Sequence, residues 1–229
     1  GALTAVGVGF SIQVAYAIGT QDVSRVRTVI RQAVWATLAV GLVLLAIGQA
    51  IASPLPRWMG AEPDVLPLAQ GYMRILLLSL PFQTASVLFS AILRCSGDTR
   101  TPLAANLGAN LLHIGLNYLL IYPARTKVIW GRAWTIWGAG LGVQGAAIAS
   151  AASIALAGSL LLGCVFFKNN PYRISLRGDW RLDGSVFRRA LSLGLPVMFE
   201  RFFISGGQIV MTRLVASLGK VALAAHFVA

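Results

Sequence analysis

Residues 101–124, TPLAANLGANLLHIGLNYLLIYPA, form the most informative stretch of the chain, because it is long, uncharged and polar on a single helical face. Its Asn and His residues are spaced 4, 3 and 4 apart. At about 100° per residue they fall within an arc of roughly 60°. This polar stripe consists of Asn106, Asn110, His113 and Asn117. The stretch exceeds the roughly 20 residues that cross a bilayer, where hydrocarbon offers no hydrogen bonds. We therefore predict a transmembrane helix whose stripe faces other helices or a water-filled cavity.

The rest of the chain predicts the same fold class, an all-α polytopic membrane protein. Its residues are 57% hydrophobic and only 11% charged, with a mean hydropathy of +0.74, unlike those of a soluble domain. Predominantly apolar runs predict a partial first span at 1–17 and further spans near 29–51, 68–88, 102–122, 144–166 and 193–217, with another beginning at 221–229.

A polar segment at residues 168–189 predicts the boundary between two helical lobes. It mixes Asn, Pro and Gly with six positive and two negative charges. We expect residues 1–167 to form most of an N-terminal lobe, 168–189 a cytoplasmic linker, and 190–229 the start of a C-terminal lobe. Within this region, residues 182–193 predict a short amphipathic helix on the headgroups. Because both ends lie in apolar runs, we expect a piece of a longer protein.

The positive charges predict the orientation in the membrane. If residues 20–32 are cytoplasmic, the loops 94–101 and 168–189 share that side, and the three segments hold 11 of the 19 Lys and Arg residues, against 5 in the opposite loops. This bias follows the positive-inside tendency and indicates a multi-pass protein of the plasma (cytoplasmic or inner) membrane. It also accounts for the net charge of +12 through contact with anionic lipid, so we predict no nucleic-acid partner.

Small residues one turn apart predict close helix packing. Gly145, Ala149, Ser153 and Ala157 form one such face, and the first segment carries another that includes Gln13. Gln13 has a second interpretation, as a polar group that reaches a cavity. Pro81 and Pro196 lie within apolar spans, where we expect kinks.

Two further polar residues are candidates for the solute pathway. Glu200 lies in an apolar helix, where a carboxylate costs roughly 3 kcal/mol on insertion scales and indicates ion or substrate coupling. The alternative is a structural ion pair, either with Arg201 or with a residue of another helix. Gln83 lies in the third predicted span. His113 likewise has two interpretations, a group that titrates during transport or a neutral ring that donates to a backbone carbonyl.

The outer segment at residues 122–142 is rich in tryptophan and basic residues. Trp130, Trp134 and Trp137 alternate with Arg and Lys, as is typical of residues at the membrane–water boundary. A cage that binds a cationic ligand is the alternative interpretation. The two cysteines, Cys95 and Cys164, lack His or Cys partners at metal-ligand spacing.

Several ordered motifs together resemble the multidrug and toxic compound extrusion (MATE) family. The segment LRCSGDTRTP at residues 93–102 is similar to the family's cytoplasmic loop and contains Gly97, Asp98, Thr99 and Pro102. The segment GVQGAAIAS at 142–150 resembles a helix start of the family and contains Gly145. Residues 194–200, which contain Pro196, and residues 214–226 resemble its seventh and eighth helices. The resemblance implies two lobes with twelve helices in the complete protein. This chain would hold about six to seven of them, without the first helix and most of the second lobe.

The resemblance also implies a function, secondary antiport that exports organic, often cationic and amphipathic, solutes in exchange for Na⁺ or H⁺. It implies no cofactor beyond that coupling cation, and small organic solutes and the lipid bilayer as partners of a protein that is monomeric when complete. The family's fifth helix carries an amide and a carboxylate one turn apart, and this chain has His113 and Asn117 there.

Two alternatives to this function differ in the residues they require. A lipid-linked oligosaccharide flippase of a related superfamily needs several central Arg or Lys residues, whereas the basic residues here lie near the ends of the predicted spans. An intramembrane enzyme needs a Ser–His, paired-Asp or His-Glu-x-x-His arrangement, and the sequence suggests none of these.

Overall fold

The computed structural model describes residues 2–58, 63–129, 132–167, 172–175 and 178–217. Within these ranges the chain forms eight helices and one β-hairpin, so the helical fold is confirmed. The elements in order are α1 (Ala2–Gly19), α2 (Val23–Ile51), α3 (Pro54–Trp58), α4 (Leu66–Leu77), α5 (Leu80–Cys95), α6 (Arg100–Leu120), β1 (Pro123–Ile129), β2 (Arg132–Ala139), α7 (Gly142–Phe167) and α8 (Gly184–Ser217).

Helix α5 lies at the centre of the bundle and packs against α1, α2 and α7. Its buried residues Leu88, Phe89 and Ile92 join Phe10 of α1 and Leu161 of α7 in one hydrophobic core. Helices α4 and α6 pack against the outer sides of α7, and α8 packs along α1. The core therefore connects all the long helices, and α6 contributes Ala105 to it while packing chiefly against α7.

The predicted small-residue faces are confirmed as contact faces. All four residues of the α7 face are buried, and a Cβ atom added at Gly145 would lie 2.6 Å from the Leu120 carbonyl oxygen of α6. On α1, Gly9 and the neighbouring small residues of its face are buried, and Gly9 lies directly against the Ala190 carbonyl of α8. Close backbone approach of this kind is how helices associate where lipid gives no hydrophobic drive.

The motif at residues 93–102 makes the tight turn between α5 and α6. Gly97 adopts a φ of 86°, its N–H donates to the Arg94 carbonyl, and the Asp98 N–H donates to the Leu93 carbonyl. These two bonds form a Schellman motif, which favours glycine at this position. Asp98 also accepts hydrogen bonds from the Thr101 backbone N–H at 3.1 Å and hydroxyl at 2.6 Å. The segment thus ends one helix and begins the next, with Thr99 immediately before α6 and Pro102 buried in its first turn.

Helix boundaries differ from the sequence prediction at two places. The span predicted at 68–88 is a bent pair, because α4 and α5 meet at an angle of 46° just before Pro81, where a kink was expected. The separate amphipathic helix predicted at 182–193 is wrong, because α8 runs without interruption from Gly184 through Pro196. The physical reason is that Val186 and Ala190 are buried against α1, so packing continues where a break was expected.

The outer segment contains a β-hairpin that the sequence analysis did not predict. Strands β1 and β2 pair antiparallel, with Arg125 opposite Ile136 and Ile129 opposite Arg132. Trp137 is 65% exposed, and the Arg125 guanidinium lies 4.1 Å from the Tyr118 ring centroid. Trp130 lies outside the described residues, and the side chain of Trp134 is not described.

Length and composition support membrane spans in part of the bundle. Helices α2 and α7 are long and apolar enough to cross a membrane, and the bent α4–α5 pair makes a third such segment in the described ranges. Helix α6 has 21 residues, a rise of about 32 Å, but its polar stripe lowers its hydropathy. Helix α1 is also apolar but is slightly shorter than the helices that are long enough to cross a membrane.

Candidate functional site

The polar stripe lies on α6 beside the face that packs against α7. Pro102, Ala105 and Ala109 are the buried residues of α6. On a helical projection the stripe is centred about 75° from them, so it runs along the edge of the α6–α7 interface. Asn106 and Asn110 are exposed, whereas His113 and Asn117 are partly buried. The stripe thus changes from an open end near the α5–α6 turn to a more enclosed end near the hairpin.

The enclosed end of the stripe contacts α7 through one hydrogen bond between side chains. The His113 Nε2 atom lies 3.1 Å from the Ser150 hydroxyl. The direction of this bond depends on the imidazole tautomer. This Ser–His contact was not predicted from the sequence, although Ser150 belongs to the segment 142–150, which resembles a helix start of the family. Within the described residues no carboxylate contacts the His113 ring, so the third group of a catalytic triad is missing from this part of the chain.

Asn117 presents an unusual group at the same end. Its Oδ1 atom is buried and has no hydrogen-bond partner among the described residues. A buried carbonyl oxygen without a partner is costly, and such atoms in native proteins usually mark a bound group or a functional role. By contrast, the Asn106 amide donates to the Pro102 carbonyl at 2.8 Å, a bond within its own helix.

Gln13 joins α1 to α8 and is 6% exposed. Its amide nitrogen donates to the Gly9 carbonyl at 3.1 Å and to the Val186 carbonyl at 3.2 Å, while its Oε1 atom is buried without a partner in the described part of the chain. Gln83 is partly buried on α5. No hydrogen bond connects either residue to the polar stripe among the described residues.

Glu200 is exposed at the middle of α8. Within the described ranges its carboxylate forms no ion pair with Arg201, which is also exposed. Neighbouring helical residues point about 100° apart, which accounts for the missing pair. The structural interpretation of Glu200 as half of that pair therefore lacks support.

A second polar cluster, which the sequence analysis missed, holds the linker on α2. The Gln32 side chain is 1% exposed, donates to the Arg181 carbonyl at 2.7 Å and accepts from the Asp183 N–H at 3.3 Å. The Trp35 indole N–H donates to the Trp180 carbonyl at 3.1 Å. The only feature of the sequence that could have indicated this cluster is the position of Gln32 near the end of a predicted span. The cluster brings residues 179–183 to the same end of the bundle as the first half of α2.

Asp183 caps the first turn of α8 at this cluster. Its Oδ1 atom accepts from the Ser185 N–H at 2.9 Å. Hydrogen bonds from the Ser185 side chain and backbone, together with the positive charge of Arg25, hold the pKa of the Asp183 carboxyl below its usual value. The carboxylate is therefore the form that stabilises the helix start.

The described residues contain no group of three or more His, Cys, Asp or Glu side chains that could hold a metal ion. Cys95 and Cys164 are both unpaired thiols.

Comparison with protein families and curated proteins identifies relatives along the chain. A family model described as MatE matches residues 2–119. The probable multidrug resistance protein NorM of Thermotoga maritima is 28% identical over 225 residues, which cover 98% of this chain and 46% of that protein. The probable multidrug resistance protein YoeA of Bacillus subtilis is 25% identical over 228 residues, 96% of this chain and 46% of its own length. The chain thus spans about half the length of the curated relatives it matches.

Solved structures share the same arrangement of helices. A crystal structure of MATE in complex with MaD3S matches with a TM-score of 0.81 and 25% identity over 97% of this chain and 47% of that one. An inward-facing MATE family transporter of the MOP superfamily matches with a TM-score of 0.70 and 27% identity over 85% of this chain and 41% of that one. These relatives are transporters rather than enzymes, and their names do not favour the flippase alternative.

Proposed function

Because the chain belongs to the MatE family of multi-pass membrane transporters, we propose that the complete protein is a secondary active antiporter. It exports organic, often cationic and amphipathic, solutes across the cytoplasmic membrane in exchange for Na⁺ or H⁺ moving inward. Support for multidrug substrates comes from the names of the relatives. The lobes at residues 1–167 and 190–229, joined by the linker at 168–189, remain part of this proposal.

The enclosed end of the polar stripe carries the proposal. There a buried acceptor, Asn117 Oδ1, has no partner in the described part of the chain, and the His113 ring contacts the Ser150 hydroxyl of α7. A buried oxygen atom without a partner is stabilised when it binds a cation or accepts a hydrogen bond from a solute. This end of α6 therefore suits transient binding of a cation or solute.

Coupling follows if cation and solute compete for groups that open alternately to each side. The chain brings an amide, an imidazole and a hydroxyl together at the stripe, and Glu200 adds a carboxylate on the exposed part of α8. A carboxylate can bind either Na⁺ or a proton, whereas the amide can supply only an oxygen ligand. We therefore assign Glu200 the charge change and Asn117 a neutral ligand role.

The proposal is tested by measuring organic-cation efflux from cells that produce Asn117→Leu in the complete protein. Leucine keeps the approximate volume and removes the acceptor oxygen, so we expect at least about a tenfold fall in gradient-driven efflux, equivalent to about 1.4 kcal/mol. Ser159→Ala on α7 is the control, because Ser159 is exposed and lies away from the stripe. Equal efflux by Asn117→Leu and the control, at equal protein levels, would remove the stripe from the mechanism.

A further inference from the structure

A third polar region, distinct from the polar stripe and from the Gln32 cluster, is a cavity of about 580 Å³ between α1, the start of α2 and α8. It lies at the end of the bundle that carries the α1–α2 turn and the linker. The Gln13 amide forms part of its wall and ties α1 to α8 through the Val186 carbonyl. The cavity is therefore framed by three elements that are held together by direct contacts.

The lining of this cavity changes from charged to apolar along its length. Asp22 and Arg25 lie at the α1–α2 turn, and Arg189 lies one turn before Leu193 on α8. Ile12 lies deeper in the cavity, two helical turns along α1 from the α1–α2 connection, a rise of about 12 Å. A ligand that fills the cavity would therefore meet charge at one end and, at the other, the apolar side chains of Ile12 and Leu193 beside the Gln13 amide.

The charged end has an excess of positive charge. Within the described residues, neither the Arg25 nor the Arg189 guanidinium forms a hydrogen bond or an ion pair. Asp22 already accepts a hydrogen bond from the Arg25 backbone N–H at 2.9 Å, where it caps α2. The charge of Arg25 also acts on Asp183, so Arg189 is the cation with the least nearby compensation. Two guanidinium groups at one opening suit a phosphate, to which each can donate paired hydrogen bonds.

We propose that this cavity binds an anionic phospholipid from the inner leaflet, with its phosphate between Arg25 and Arg189 and an acyl chain along Ile12 and Leu193. A lipid fits better than free phosphate because the deeper part of the lining is apolar. The orientation predicted from the basic loops would bring this end of the bundle to the anionic leaflet. This lipid site is separate from the polar stripe on α6 and independent of the transported solute.

The experiment uses the complete protein, delipidated in a neutral detergent, and measures its melting temperature with added dioleoylphosphatidylglycerol, dioleoylphosphatidylcholine or inorganic phosphate. Native mass spectrometry of the same samples counts retained lipid. We expect phosphatidylglycerol to raise the melting temperature and to remain bound, and the other two additives to have little effect. Arg189→Gln should remove both effects, with Arg25→Gln as a second variant.

Arg188→Gln is the matched control, since Arg188 carries the same charge one residue away, is exposed and does not line the cavity. It should retain the response of the unmodified protein. Equal loss in Arg188→Gln and Arg189→Gln would overturn the proposal in favour of general surface charge. A full response to inorganic phosphate would make this a free-phosphate site. Equal retention of phosphatidylglycerol by the Arg189→Gln and unmodified proteins would overturn the site itself, whatever the melting temperatures.

Discussion

At the scale of single residues, polar side chains in this bundle divide into those that join elements and those that lack a partner. Gln32 and Gln13 make hydrogen bonds that hold the linker and α8 against the bundle. Asn117 Oδ1 is buried without a partner among the described residues, and Glu200 is an exposed carboxylate on α8. We expect replacement of Gln32 or Gln13 to lower the stability of the protein, and replacement of Asn117 or Glu200 to affect transport.

Asp183 supplies a prediction about pH. Its pKa is lowered in the folded protein, so its stabilising effect is present above the unfolded value near 3.8 and is lost as the pH falls through the folded value. Asp183→Asn keeps a good helix cap but cannot titrate. We expect the melting temperature of this variant to fall less steeply than that of the unmodified protein between about pH 5 and pH 3. Parallel curves for the two proteins would contradict this role.

Glu200→Gln tests whether the carboxylate acts in transport or in folding. The amide keeps the shape of the side chain but cannot change charge, so we expect gradient-driven export to be lost. Because Glu200 is exposed and unpaired with Arg201 within the described residues, we expect the melting temperature to change little. Transport and melting are measured on one preparation, with the exposed Asp64→Asn as control. Normal export by Glu200→Gln would leave the stripe as the coupling candidate.

At the scale of elements, the linker is attached to α2 rather than free. Four side-chain hydrogen bonds from Arg31, Gln32 and Trp35 reach residues 179–183, and Trp180 stacks on Phe166 with ring centroids 6.2 Å apart. Helix α8 begins directly after this attachment and packs on α1. Movement of the first half of α8 should therefore follow movement of α1 and α2.

Gln32→Leu should release the linker. The substitution leaves the Arg181 carbonyl and the Asp183 N–H without their partner, at a cost of about 1–3 kcal/mol. We expect faster amide hydrogen exchange at residues 179–183 and faster tryptic cleavage after Arg181. Thr28→Ala is the control, because the exposed Thr28 hydroxyl bonds only within α2, to the Ser24 carbonyl. Unchanged exchange in Gln32→Leu would show that packing alone holds the linker.

The sequence predicted elements where periodicity alone decides the structure and missed those that depend on distant contacts. The small-residue faces and the bend near Pro81 could be predicted, because spacing and proline act locally. The hairpin at residues 123–139 was not expected, because its strands carry basic residues and tryptophans that also suit a boundary loop. The Ser150–His113 contact could not be predicted, since 37 residues separate the two side chains in the chain. Continuous α8 likewise depends on burial against α1.

At the scale of the whole molecule, the chain supplies a bundle with a polar stripe on one helix and a basic cavity at one end. The family and the helical arrangement are established by the MatE match and the solved structures. Export, the coupling cation and inner-membrane location are properties proposed for the complete protein. Ion-coupled export is proposed because a polar group within the membrane persists only where it binds a ligand or contacts another polar group.

The most direct test of ion-coupled export is ethidium flux in proteoliposomes of the complete protein, measured under an imposed Na⁺ gradient, an imposed pH gradient or neither. Antiport predicts that at least one cation gradient drives ethidium in the opposite direction and that a matching ionophore abolishes the flux. Protein-dependent ethidium flux at the same rate in all three conditions, unaffected by ionophores, would contradict the proposed mechanism.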